Sequence, residues 1–339
     1  MHAIESCPQP LSECTHLSVL DQVQNLPLLI EWKDSSSSPP GPDAFLKLWT
    51  SSRAWLDSQL LHHGALLFRG FGILGQEFFQ SIISGMHQTP FQYVAGNSPR
   101  VKLADGIYSS TEYPPQYFIS LHNELSYTPH WPQRIFFCCL IEPSEGGETP
   151  LVSSRVLLQA LPQDLVAEFR TKKIKYIRNL HGGKGLGKSW QESFETQDPS
   201  ILEHHATASG MTVRWNADAS ATLTSIGQAT AVHPLTGEEV WFNQADQFHP
   251  STLPPQLYKS LMAIYQSEDF LPQNATFGDG TLIPLEYLDT IRQATQRQIV
   301  STPWRKGDLL IVDNMLVAHG RMPFKGPRKI LVSMFGAPN

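Results

Sequence analysis

From Tyr117 to the C-terminus the chain is a succession of short strand-like runs cut by proline and glycine turns, and this spacing constrains its fold more than any other feature. The runs FISLHNELSY, RIFFCCLIEP, KIKYIRNL, TVRWNA, EVWFNQ, RQIVSTPW, DLLIVDNMLVAHG and RKILVSMFG are rich in β-branched and aromatic residues and bounded by turn formers. Helical patterns are fewer: an amphipathic stretch from Ala44 to His63, then SSRVLLQALPQDLVAEFRTK, then segments near 254–267 and 284–294. Strands do not alternate one for one with helices, so a parallel doubly wound sheet is disfavoured. A closed or sandwiched antiparallel sheet with helices outside it is expected, a mainly β fold. The first forty residues carry little periodicity and end in DSSSSPPGPD, a Ser/Pro/Gly linker. The expected organisation is an N-terminal extension and linker over 1–43 and a single domain over 44–339.

Within these runs, SLHNELSY places His122 and Glu124 two residues apart. If the strand continues from Tyr117 to Tyr127, then Phe118, Ser120, His122, Glu124 and Ser126 share one face. Two ligands on one face can close on one metal ion. An iron site of the facial type needs two imidazoles and one carboxylate, with the remaining positions open for cosubstrate and dioxygen. The candidate for the second imidazole is His319, which ends an apolar strand just before a Pro/Gly-rich turn; His233 and His249 read as loop residues, and His62 and His63 as cap and surface residues.

An oxidant of this kind requires a two-electron donor, commonly 2-oxoglutarate, whose distal carboxylate calls for a planar cationic fork. Arg328 follows His319 across the turn. A hairpin pairing residues 319 and 330 would put both on one side of a sheet.

A competing pattern is GGKGLGKS, residues 182–189, which satisfies the phosphate-loop spacing G-x-x-x-x-G-K-[ST] after a strand-like run. GDLLIVD would supply the magnesium aspartate. This nucleotide-binding alternative needs a parallel sheet flanked by helices, and WQESFETQDPS is a poor first helix.

Composition removes other classes. A hydrophobic fraction of 41% with 17% charged residues describes a globular chain, and a net charge of −6 gives no basic footprint for nucleic acid. There is no apolar run long enough to span a bilayer, and MHAIESCPQPLSECTH lacks the form of a signal peptide; a cytoplasmic location without membrane attachment is expected. The four cysteines have no zinc or redox spacing, and Cys138 and Cys139 are expected as free thiols on opposite faces of a buried strand. Oligomeric state is not readable.

The residues taken together resemble a known group. His122-x-Glu124, then GGETP with Thr149, then DNMLVAHGRMPFKGPRKI are similar to the taurine dioxygenase and clavaminate synthase-like superfamily of Fe(II)/2-oxoglutarate oxygenases. HGALLFRGF, YSSTEYPPQ, SLHNELSY, WPQRIFFCC, VWFNQ and FGDG resemble its amino-acid-modifying branch, which includes the syringomycin-pathway aspartyl hydroxylase. The resemblance covers most of the chain from about residue 60.

It implies a double-stranded β-helix core of jelly-roll, cupin-like form, with His122, Glu124 and His319 on Fe(II). Thr149 and Arg328 would hold the distal carboxylate of 2-oxoglutarate, with O2 as the second cosubstrate. Related halogenases replace the metal carboxylate with a small residue, which Glu124 argues against. The glycine-rich segment becomes a loop between strands.

The implied activity is hydroxylation of an aliphatic carbon of an amino acid or of an aminoacyl group on a carrier protein, with release of succinate and CO2. Desaturation or cyclisation would use the same site. Several members carry a second arginine four residues after the 2-oxoglutarate arginine to grip an acidic group of the substrate; here that position is Val332. A substrate with a masked carboxyl, such as a carrier-bound one, fits this departure, with Lys172, Lys173, Lys175, Lys184 and Lys188 as a docking patch. Asn97, Tyr108 and Phe118 are the candidate substrate positions.

Overall fold

Strands that are apolar on both faces must lie between two layers, and Leu309–Asp313, buried at every position, sits inside the largest sheet. The computed structural model describes residues 6–33, 38–86, 90–91, 101–110 and 113–336. Its main sheet has eight strands in the order Thr15–Asp21, Leu26–Trp32, Ala65–Arg69, Leu309–Asp313, Arg134–Ile141, Lys329–Phe335, Ile107–Ser109 and Lys102–Ala104. All pairings are antiparallel except Leu26–Trp32 with Ala65–Arg69.

Helices Pro42–Ser51, Arg53–His63 and Gln76–Gly85 cover one face, burying Phe45, Trp49, Leu56, Phe79 and Ile82. The other face meets a three-stranded sheet of Ile119–His122, Val317–Arg321 and Leu151–Ser153. Leu151 and Val317 from the small sheet pack with Leu67, Phe137, Leu310 and Val332 from the large one. A four-stranded antiparallel sheet, ordered Thr212–Trp215, Ala221–Gly227, Ile174–Leu180 and Gln273–Phe277, shares a third core with helices Gln163–Lys172 and Leu285–Gln296. The architecture is therefore mixed helix and strand around large sheets, with no closed barrel among the described residues.

Two expectations change. Residues 15–32 are not a bare extension: they add two strands at the edge of the main sheet, and Leu28 and Ile30 enter its core. The expected hairpin of residues 319 and 330 does not form. Val317–Arg321 lies between Ile119–His122 and Leu151–Ser153, whereas Lys329–Phe335 lies between Arg134–Ile141 and Ile107–Ser109. Pro323, Gly326 and Pro327 break the connection, and Phe324–Lys325 pairs with Glu145–Gly146, which hands the chain from one sheet to the other.

The glycine-rich segment follows a strand of the antiparallel sheet and leads into a helix of only five residues, Trp190–Phe194. The Ser189 hydroxyl is spent in a capping box with Glu192. A phosphate loop has neither its sheet nor its helix here. Cys138 and Cys139 behave as expected, facing opposite cores as free thiols, and burial raises Cys139 to about 12.

Candidate active site

His122 closes the strand Ile119–His122 and is the register partner of His319 in Val317–Arg321. Directly opposed residues of an antiparallel pair project from one face, and the two imidazole centroids are 4.7 Å apart. Gly320 permits the close approach, since a Cβ there would lie 2.5 Å from the Ile119 carbonyl oxygen.

Glu124 arrives differently from the expected continuous strand. The strand ends at His122, and residues 124–127 form a turn in which Leu125 takes φ 56°. The cause is a side-chain amide. Asn314 accepts the Glu124 N–H at 2.7 Å and donates to the Glu124 and Pro132 carbonyls at 2.9 and 2.8 Å. Asn123 donates back to the Asn314 carbonyl at 2.6 Å. Backbone groups that a strand would offer to a neighbour are captured by Asn314, and the turn aims Glu124 at the histidines. Asp313, which accepts from the Met315 and Leu316 N–H groups at 3.0 Å and faces buried His233 at 3.2 Å, holds the adjoining bend.

One donor atom from each of His122, Glu124 and His319 lies within 4.8 Å of the others, and all three residues are buried. His122 Nδ1 is 2.9 Å from the Ser120 carbonyl, so Nδ1 carries the proton and Nε2, 3.9 Å from Glu124 Oε2, is left for a metal. Gln247 approaches the same Nδ1 at 3.4 Å; the shorter carbonyl contact decides the tautomer. Two imidazoles and one carboxylate, buried together, suit a divalent iron.

A pocket lined by His122 and His319 extends to Thr149, Arg328 and Val332. Arg328 is reached across the two facing sheets. Its Nε donates to the Gly147 carbonyl at 2.8 Å and Nη1 to Ser110 Oγ at 3.2 Å. Burial, and then the neighbouring Arg321 cation, lower Arg328 from its usual range to about 10. Among the described residues no carboxylate ion-pairs with it. A half-buried cation of this kind is stabilised by an incoming anion. Arg321 is otherwise occupied: it donates to the Tyr113, Pro114 and Tyr117 carbonyls at 2.8, 2.7 and 3.1 Å. Asp308 and Arg69 form a buried two-pronged pair at 2.7 and 3.0 Å.

Of the candidate substrate positions, Tyr108 is buried and is the register partner of Val332. Phe118 precedes the strand and is 39% exposed, and Ile119 lines the pocket in its stead. Asn97 lies outside the described residues. Reading by letter missed Asn123, Asn314 and Gln247. Only the amide inside the apolar run IVDNML hints at one of them. His249 and His63 are also buried, each engaged locally through Nδ1.

Residues 40–334 match the family model described as Taurine catabolism dioxygenase TauD, TfdA family. The chain is 36% identical over 302 residues to the dapdiamide synthesis protein DdaC of Enterobacter agglomerans, covering 86% of this chain and 91% of that one. It is 31% identical over 316 residues to a clavaminate synthase-like protein of Arabidopsis thaliana, covering 88% and 91%. Two solved structures have similar folds. PvcB of Pseudomonas aeruginosa superposes with a TM-score of 0.54 at 17% identity, covering 95% of this chain and 92% of its own. AAD-2 in complex with Mn(II) and N-oxalylglycine gives 0.56 at 10%, covering 96% and 98%. With the family model matched over 40–334 and two relatives above 30% identity, the chain belongs to the TauD/TfdA family of iron(II)- and 2-oxoglutarate-dependent dioxygenases.

Proposed function

We propose that His122, Glu124 and His319 hold the iron(II), and that Arg328, with Thr149 and Ser110 beside it, holds the distal carboxylate of 2-oxoglutarate. The observation carrying this reading is the cluster of three buried ligand residues, two of which, His122 and His319, line one pocket with the half-buried Arg328. The facing eight- and three-stranded sheets are then the halves of a jelly-roll within one oxygenase domain over 44–339, to whose edge residues 15–32 add strands.

Iron(II) with 2-oxoglutarate and O2 supplies an oxidant for an unactivated C–H bond, releasing succinate and CO2. The protein's part is placement. His122 keeps its Nδ1 proton on the Ser120 carbonyl, Asn314 fixes the turn that presents Glu124, and Arg328 fixes the cosubstrate's far end. The buried sheet faces exclude water from the pocket floor.

The substrate is an amino acid or an aminoacyl group on a carrier protein, hydroxylated at an aliphatic carbon. Similarity to a protein of dapdiamide synthesis supports a place in a biosynthetic sequence. The carrier-bound form is favoured by Val332, fully buried in the pocket wall where a second arginine would meet a free carboxylate. Lys172 does not help to dock a carrier, because it pairs with Glu168 at 2.8 Å.

The test is anaerobic titration with Fe(II) and 2-oxoglutarate, then succinate release with matched free and carrier-loaded amino acids. His319→Ala is expected to remain folded, to bind iron poorly and to release no succinate. Normal turnover by that variant overturns the ligand assignment, and efficient turnover of the free amino acid with no gain on loading overturns the carrier form.

A further inference from the structure

Leu151 and Val300 exchange both of their backbone hydrogen bonds, each at 2.8 Å, in an isolated antiparallel bridge. Counting on from that bridge in opposite directions brings Thr149 alongside Thr302, with Trp304 two positions further. The buried Arg69–Asp308 pair holds the chain there. Arg69 also donates to the Pro303 carbonyl at 2.9 Å, and Asp308 also accepts the Arg305 N–H at 2.8 Å. These local bonds seat an indole beside the segment that carries Thr149.

A second cavity lies at this place. Leu67, Leu151 and Leu310 give it apolar walls, and Thr149, Thr302, Trp304 and Asp308 give it polar ones. It has room for about one water molecule. Thr149 also lines the pocket of His122, His319 and Arg328, so one side chain is common to the walls of both. Trp304 is 6% exposed, and its indole N–H meets no acceptor among the described residues. A buried donor of this kind costs free energy unless an acceptor reaches it. Asp308 lines the same cavity without meeting that donor.

We propose that this cavity is a water site and that Trp304, acting through the water, is a positioning residue for the cosubstrate. The water accepts the Trp304 N–H and donates one hydrogen to Asp308 and the other to the Thr149 hydroxyl oxygen. With its oxygen so occupied, Thr149 has its own proton left to donate into the neighbouring pocket, to the distal carboxylate that Arg328 holds. This rests on the proposed reading of Thr149 and Arg328 and deepens it. The far end of 2-oxoglutarate is then tied, through one hydroxyl and one water, to the Arg69–Asp308 brace.

The experiment has two arms. A crystal structure of the full chain, at a resolution that orders internal waters, is expected to show a water within hydrogen-bond distance of both Trp304 Nε1 and Thr149 Oγ1. Calorimetric titration of 2-oxoglutarate into the anaerobic, Fe(II)-loaded protein compares wild type, Trp304→Phe, Thr149→Val and the double variant. Trp304→Phe is expected to weaken binding by about three- to tenfold, with iron affinity within about twofold of wild type. The double variant is expected to bind no more weakly than Thr149→Val alone, because the indole acts only through that hydroxyl. A packing role alone for Trp304 would make the two losses multiply. The proposal is overturned by multiplied losses, by wild-type affinity in Trp304→Phe, or by a wild-type crystal structure with no water between the two side chains. That last result decides the matter even if Trp304→Phe does not fold. A protein that shows the water yet binds no 2-oxoglutarate supports the water site and overturns the cosubstrate reading instead.

Discussion

Two arginines share the pocket, and their partners separate their roles. Arg321 is held by three backbone carbonyls between Tyr113 and Tyr117 and stacks over Tyr113 and Phe324; it braces a loop. Arg328 is half-buried, makes two hydrogen bonds, and lacks the three carbonyl partners that hold Arg321. A charge-assisted contact to a carboxylate contributes on the order of 1.5–3 kcal/mol. Arg328→Ala should therefore weaken 2-oxoglutarate binding by about tenfold or more and spare iron, whereas Arg321→Ala should act first on thermal stability. Equilibrium binding of both ligands to both variants checks this, and the reverse pattern would transfer the clamp to Arg321. The candidate residues could be chosen from the sequence because the chemistry of a divalent iron and a dicarboxylate admits few side chains. Neighbourhoods were not: His319 and Arg328 were expected on one hairpin, and they meet instead from opposite sheets. The letters state which groups are needed, but only the fold decides the route by which they converge.

At the scale of elements, the site depends on how closely two strands and one turn can be held. An added methyl at Gly320 would press on the Ile119 carbonyl and pry apart the pair on which both histidines stand. Gly320→Ala should lower iron affinity although the residue touches no metal. Asn314→Ala removes the amide that makes three hydrogen bonds with Glu124 and Pro132. A loss of about 10–100-fold in metal affinity is expected, as for other groups that orient ligands, with 2-oxoglutarate affinity measured on the metal-loaded protein nearly unchanged. If Asn314→Ala binds iron as wild type does, the turn is held by something else. Neither element was legible in advance. His-x-Glu reads as alternation along a strand, and nothing local shows that a side chain almost two hundred positions away will end that strand. The buried Arg69–Asp308 pair is a third such brace, joining the strand Ala65–Arg69 to the approach of Leu309–Asp313. Asp308→Ala strands a buried guanidinium, and a loss of about 3–5 kcal/mol is expected in urea unfolding.

Over the whole molecule the burial pattern separates the cysteines. Cys138 and Cys139 are buried, with their thiols raised by burial, while Cys7 and Cys14 are partly exposed. A thiol reagent should modify two groups in the native protein and four after denaturation; early reaction of Cys138 or Cys139 would mean that the main sheet opens. Most of the strand-like runs and the double thiol were legible in the sequence because they are local, although RQIVSTPW forms only an isolated bridge at Val300 and FISLHNELSY stops at His122. The edge strands of residues 15–32 were not, since their partner, Ala65–Arg69, lies beyond a linker that looks like a boundary. The register of His122 on His319 has a last consequence, for the order in which the molecule comes into being. A nascent chain displays His122 and Glu124 long before Val317–Arg321 has been synthesised, and in that interval it has one imidazole and one carboxylate, a weak and incomplete chelate. If His319 is the third ligand as proposed, tight metal loading waits for the C-terminal strands. A chain ended before Val317 is expected to show neither cooperative unfolding nor measurable iron retention on gel filtration.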